Sequence, residues 1–67
     1  MSNDQPSDLG PSLLLRVEEA AVLLGIGRTQ TYELVMRGQI RSVKIGRRRL
    51  VLRAGVQEFV DRLLEGQ

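Results

Sequence analysis

An α+β domain, mainly helical, is what this 67-residue sequence predicts. Three observations carry the expectation. Two short helix-like stretches flank a Gly-Ile-Gly bend, two β-prone runs flank a glycine followed by three arginines, and an apolar pattern with helical spacing closes the chain. A chain of this length buries only about 60% of the surface it exposes when unfolded. One small domain with a single core is therefore expected, and a deep cleft between two subdomains is not.

Residues 1–12, MSNDQPSDLGPS, are rich in Ser, Asp, Asn, Gly and Pro and hold one isolated leucine. They read as a disordered tail, leaving the domain to residues 13–67. Leu13, Leu14 and Leu15 are too short a run for a helix and suit a short strand entering the core. Glu18 and Glu19 stand where the first turn of a helix favours negative charge; Ala20, Ala21, Leu23 and Leu24 follow, and Gly25 stops a helix of about two turns. Ile26 and Gly27 lead into a second helix, from Arg28 to Arg37, ended by Gly38. Ala20 and Ala21 beside so tight a bend allow two helices to cross closely.

Ser42–Ile45 and Leu50–Leu52 read as the strands of a hairpin with Gly46, Arg47, Arg48 and Arg49 at its tip. Alternation puts Val43 and Ile45 on the buried face and Lys44 on the other. Val56, Phe59, Val60, Leu63 and Leu64, opposite Gln57, Glu58, Asp61, Arg62 and Glu65, make an amphipathic helix from about Ala54 to Glu65. Its apolar face either closes the domain's own small core or receives a partner helix.

Ten Lys and Arg against eight Asp and Glu leave a formal charge of +2, but the distribution is lopsided. Residues 1–15 carry Asp4 and Asp8 and no base, whereas residues 37–53 carry Arg37, Arg41, Lys44, Arg47, Arg48, Arg49 and Arg53 and no acid. A surface of that density faces phosphate or an acidic membrane. With no Cys there is no disulfide, thiolate nucleophile or Cys-ligated zinc, and with no His the usual general base and commonest metal ligand are missing. No enzyme, metal or cofactor is expected. The chain has neither a run of roughly 18 apolar residues nor a basic signal-peptide start, so a cytoplasmic protein is expected.

The element order, a strand, two helices, a hairpin and a helix, is the plan of a small winged helix-turn-helix, in which the second helix enters the major groove and the hairpin lies along neighbouring backbone. Thr31, Leu34 and Val35 fall on the face packed against the first helix, leaving Arg28, Thr29, Tyr32, Glu33, Met36 and Arg37 on or beside the outward face. Arg28 can offer paired donors to a guanine edge or bind phosphate, and Thr29 and Gln30 can hydrogen-bond bases or backbone. Glu33 either accepts from a cytosine amine or pairs with Arg37 one turn on. Lys44, Arg47, Arg48 and Arg49 supply the wing, where arginines suit phosphate or a narrowed minor groove, although alternation can turn Arg49 toward the domain. Tyr32 and Phe59 are the only aromatics, too few for a stacking platform on single strands.

The EEAA-x-LLG helix, the R-T-x-x-Y helix start, the RG-x-I-x-S-V-K-I-G-RRR wing and the closing amphipathic helix together resemble the small excisionase family of recombination directionality factors over about residues 13–64. The winged-helix domain of that family is related to that of MerR-type regulators. Where the family often has a small hydroxyl cap, this chain has Gly27, and where it often has Val, this chain has Thr31. The resemblance implies groove contacts from Arg28, Thr29, Gln30 and Glu33. It also implies a bacterial, nucleoid-associated protein that binds and bends attachment-site DNA, with a partner integrase and other copies of itself alongside, and with no small-molecule ligand. A small transcriptional regulator built on the same domain is the alternative.

Overall fold

A computed structural model describes residues 12–67. The disordered tail expected over residues 1–12 therefore lies, Ser12 apart, outside the described residues. The element order is β1 (Leu14–Leu15), α1 (Val17–Leu24), α2 (Arg28–Met36), β2 (Ser42–Ile45), β3 (Arg48–Leu52) and α3 (Arg53–Glu65). The strands form one antiparallel sheet in the order β1-β3-β2, with Leu15 opposite Val51 and Ser42 opposite Val51 on its other side. This is the small α+β winged helix-turn-helix that the sequence predicts.

The core forms where α1 and α2 cross beneath the root of the sheet. Leu15, Val17, Ala20, Val35, Ile40, Val51 and Val56 are buried together, with Leu24, Leu34 and Phe59 packed against them. Ala20 and Thr31 are fully buried, as the close crossing of α1 and α2 requires. The Thr31 hydroxyl, cut off from water, donates to the Gly27 carbonyl at 2.8 Å, so its donor is satisfied. Gly25 adopts φ +73°, where its N–H and that of Ile26 both donate to the Ala21 carbonyl. That left-handed residue ends α1 and turns the chain into α2 within three residues.

The hairpin differs from its expected form in two respects. Ile45 pairs with Arg48, so the connection is Gly46 and Arg47 alone, and Arg48 and Arg49 belong to β3 rather than to the tip. Positive φ at Gly46 (+63°) but not at Arg47 matches the type II′ turn of a two-residue hairpin, whose twist suits the strands it joins. The buried face is also the opposite one. Val51, fully buried, shares its sheet face with Ser42, Lys44 and Arg49, while Val43 and Ile45 share the outer face with Leu50 and Arg48. Ile45 is accordingly 54% exposed. The cause is Val51, whose place in the core fixes the inner face of β3 and, through its pairing with Ser42, that of β2.

The face of α3 divides between the two roles open to it. Val56 is buried and Phe59 packs half-buried against the core, Val60 is half-buried, and Leu63 and Leu64 are exposed. Arg41 grips Glu58 of α3 through two hydrogen bonds of 2.9 and 3.0 Å. Arg53 fastens the start of α3 to the N-terminal segment: its side chain donates to the Ser12 carbonyl and its backbone N–H to that of Leu13. Two of the seven bases in residues 37–53 are thus structural. Among the described residues, no helix is long and apolar enough to cross a membrane.

Candidate nucleic-acid interface

Packing fixes which side of α2 is free. Thr31 and Val35 are buried and Leu34 is half-buried, so the remaining faces expose Arg28, Thr29, Gln30, Tyr32, Glu33, Met36 and, at the C-cap, Arg37. Between this surface and the hairpin lies an open concavity of about 480 Å³. Arg28, Tyr32 and Met36 form its helical wall, Lys44, Arg47, Arg48 and Arg49 its hairpin wall, and Arg16 and Glu18 its floor at the start of α1. A smaller hollow continues along α2 past Arg28, Thr29, Tyr32 and Glu33.

Most of the residues singled out from the sequence are thereby brought together: Arg28, Tyr32, Lys44, Arg47, Arg48 and Arg49 around one concavity, Thr29 and Glu33 beside it. Gln30 and Arg37 are exposed but line neither hollow. No ion pair joins Glu33 to Arg37 among the described residues. Arg49 turns onto the domain's side of the sheet, where its guanidinium donates to the Ser42 hydroxyl at 3.0 Å, yet it still lines the concavity. Arg48 lines it from the first position of β3 instead of from the tip.

Arg16 and Glu18 were not legible as site residues from spacing. Both flank the start of α1, and only the pairing of β1 with β3 carries that start toward the hairpin. The signal available in the sequence was a basic residue followed at once by an acidic pair, which reads equally well as a helix cap.

The electrostatics are one-sided. Six cations, Arg16, Arg28, Lys44, Arg47, Arg48 and Arg49, surround the concavity, with Glu18 as its single carboxylate. Lys44 and Arg49 stand directly opposite each other across the ladder, an arrangement of like charges that destabilises a sheet unless an anion lies between them. Glu18 contacts Arg28 at 3.3 Å. The neighbouring Glu19 faces away from this partner and accepts the Arg16 backbone N–H at 2.8 Å. That bond, with the Arg16 guanidinium beside it, holds the Glu19 carboxyl below the usual carboxylate range. Among the described residues no group of three or more potential metal ligands occurs.

The helix-turn-helix domain family matches residues 14–63, from the first strand to the last turns of α3. A probable excisionase of Saccharopolyspora erythraea is 51% identical over 55 residues, covering 82% of this chain and 56% of that protein. The chain thus spans little more than half the length of that relative. No solved structure matches it significantly. With the family match running through both helices, the hairpin and most of α3, the chain belongs to the helix-turn-helix domain family.

Proposed function

We propose that the chain is an architectural factor for double-stranded DNA that directs a partner integrase toward excision of a mobile element. In this reading α2 lies in the major groove, with Arg28, Thr29, Gln30 and Glu33 at base edges and Tyr32 and Arg37 flanking them, while Lys44, Arg47, Arg48 and Arg49 of the wing hold neighbouring phosphates. The observation that carries the reading is the concavity between α2 and the hairpin, lined by six cations and one carboxylate. Lys44 and Arg49, held face to face, gain most from a phosphate placed between them. The site offers a surface for binding; catalysis belongs to the integrase.

One helix and one wing reach only a few base pairs, too few for strong selectivity. Several copies on adjacent sites supply the rest, each bending the duplex toward the excisive arrangement. The exposed Leu63 and Leu64 of α3 give such copies, or the integrase, apolar surface to meet. Footprinting and permuted-fragment mobility on attachment-site DNA test the reading. Stepwise protection by successive copies with growing bend is expected, and Arg47→Ala and Arg48→Ala should each lower the log–log salt slope by about 0.9. A single protomer on straight DNA, with no effect on integrase-driven excision, would favour a small transcriptional regulator built on the same domain.

A further inference from the structure

α1 opens with two adjacent glutamates that do different work. Glu19 serves the helix, accepting the Arg16 backbone N–H one turn back. Glu18 takes no part in that cap. It reaches across to α2, where its carboxylate meets the Nε of Arg28 at 3.3 Å, with both side chains more than half exposed. An ion pair so exposed adds little to stability. It nevertheless puts the only negative charge in a concavity of six cations, at a cost to phosphate affinity.

The geometry of the pair says what that charge accomplishes. A guanidinium has five N–H donors in a fixed fork, and Glu18 engages the Nε end. Among the described residues the two terminal amino groups meet no carboxylate, and these are the donors that match O6 and N7 of a guanine edge. Without the carboxylate, Arg28 would be a loose cation at the mouth of a basic hollow, free to settle on the nearest phosphate. With it, the side chain is drawn toward α1 before binding, and a phosphate must displace Glu18 or tolerate it as a neighbour. We propose that Glu18 is a specificity-setting residue of this surface, positioning Arg28 for a base edge and disfavouring its use as a phosphate clamp. This rests on the proposed placement of α2 in the major groove.

The test is a double-mutant cycle. Glu18→Gln, Arg28→Ala and the double variant are titrated by fluorescence anisotropy against a footprinted cognate duplex and a scrambled duplex over a salt series. Glu18→Ala serves as a second neutral variant, and circular dichroism checks that each is folded. Glu18→Gln should tighten binding to the scrambled duplex about fivefold, gain less on the cognate one, and so lower their affinity ratio. Its salt slope should steepen by about 0.9, as one more phosphate contact forms. In the Arg28→Ala background the ratio should no longer respond to Glu18→Gln.

Two results would overturn the role of Glu18 alone: a wild-type ratio and salt slope in both neutral variants, or an equal loss of ratio with and without Arg28, which would mean that Glu18 reads a base itself. Wild-type protein that binds both duplexes alike, or neither, would remove the groove placement of α2 and this proposal with it.

Discussion

The three-stranded sheet has a root and an overhang, and the same strands behave differently in each. At the root, Val51 is fully buried between Leu15 of β1 and Ser42 of β2, above α1 and α2. Two residues further out on the same sheet face, Arg49 and Lys44 line an open concavity. Backbone pairing continues unbroken from Ser42–Val51 through half-buried Val43–Leu50 to exposed Ile45–Arg48. A sheet face need not be apolar throughout: where it passes the edge of the helices it can bear charge and still keep its register. Burial is concentrated at the root and exposed positive charge at the overhang, and the two can be altered separately.

The largest expected effect falls on the root. Ile40 lies between α2 and β2 with 1% of its surface exposed, packed in the same cluster as Val35, Val51 and Val56. Ile40→Ala should cost about 2–4 kcal/mol, the usual range for a buried Ile reduced to Ala. Against the roughly 3–10 kcal/mol expected for a domain of this size, that is enough to lower the thermal midpoint by more than about 10 °C. A midpoint within about 3 °C of wild type would mean that the hairpin root is not where stability is concentrated.

A smaller effect is expected where α3 crosses the root. A Cβ added at Gly55 would stand 2.9 Å from the Arg41 carbonyl oxygen and 3.0 Å from its backbone nitrogen, and neither can yield without moving the strand entry. The same Arg41 carbonyl accepts the Leu52 N–H, and its side chain grips Glu58. Overpacking of this kind costs about 1–3 kcal/mol, while replacing a helical glycine by alanine returns about 1 kcal/mol. Gly55→Ala should therefore lose up to about 2 kcal/mol in a urea titration. A gain in stability would show that α3 docks less tightly than the contact with Arg41 implies.

This division also marks what the sequence could tell. The α1–α2 crossing was legible because Ala20, Ala21, Thr31 and Val35 repeat at helical spacing and Gly25 punctuates them. The hairpin was legible as a hairpin but not in its register: a glycine and three arginines fit a four-residue tip as well as a two-residue turn, and cross-strand pairing decided for Gly46 and Arg47. Which face of β2 turned inward depended on its pairing with β3, where Ser42 stands opposite the buried Val51, so Val43 and Ile45 looked like core although Ser42 and Lys44 hold the inner side. The candidate site followed the same rule. Residues of α2 and the hairpin that line the concavity were singled out from local pattern, whereas Arg16 and Glu18, brought beside it by the pairing of β1 with β3, were not. The apolar spacing of α3 predicted its amphipathic face, but no periodicity says where a core stops, which here is before Leu63 and Leu64.

The smallest effect belongs to the overhang and tests the comparison from its other side. Ile45 is an apolar strand residue by type, yet it is 54% exposed on the outer face, beside the turn and opposite Arg48. Little of its surface leaves water on folding, so little transfer free energy is lost with it. Threonine keeps the branched Cβ that suits a strand, and the ladder bonds of β2 are made by the backbone whichever side chain is present. Ile45→Thr should therefore shift stability by no more than about 0.5 kcal/mol, at least fourfold less than Ile40→Ala by the range expected there. It should also leave the salt slope for DNA unchanged, since no cation is removed. A loss above about 1.5 kcal/mol would place Ile45 in a packed environment. The outer face of the overhang would then be covered, and its contrast with the buried root would be lost.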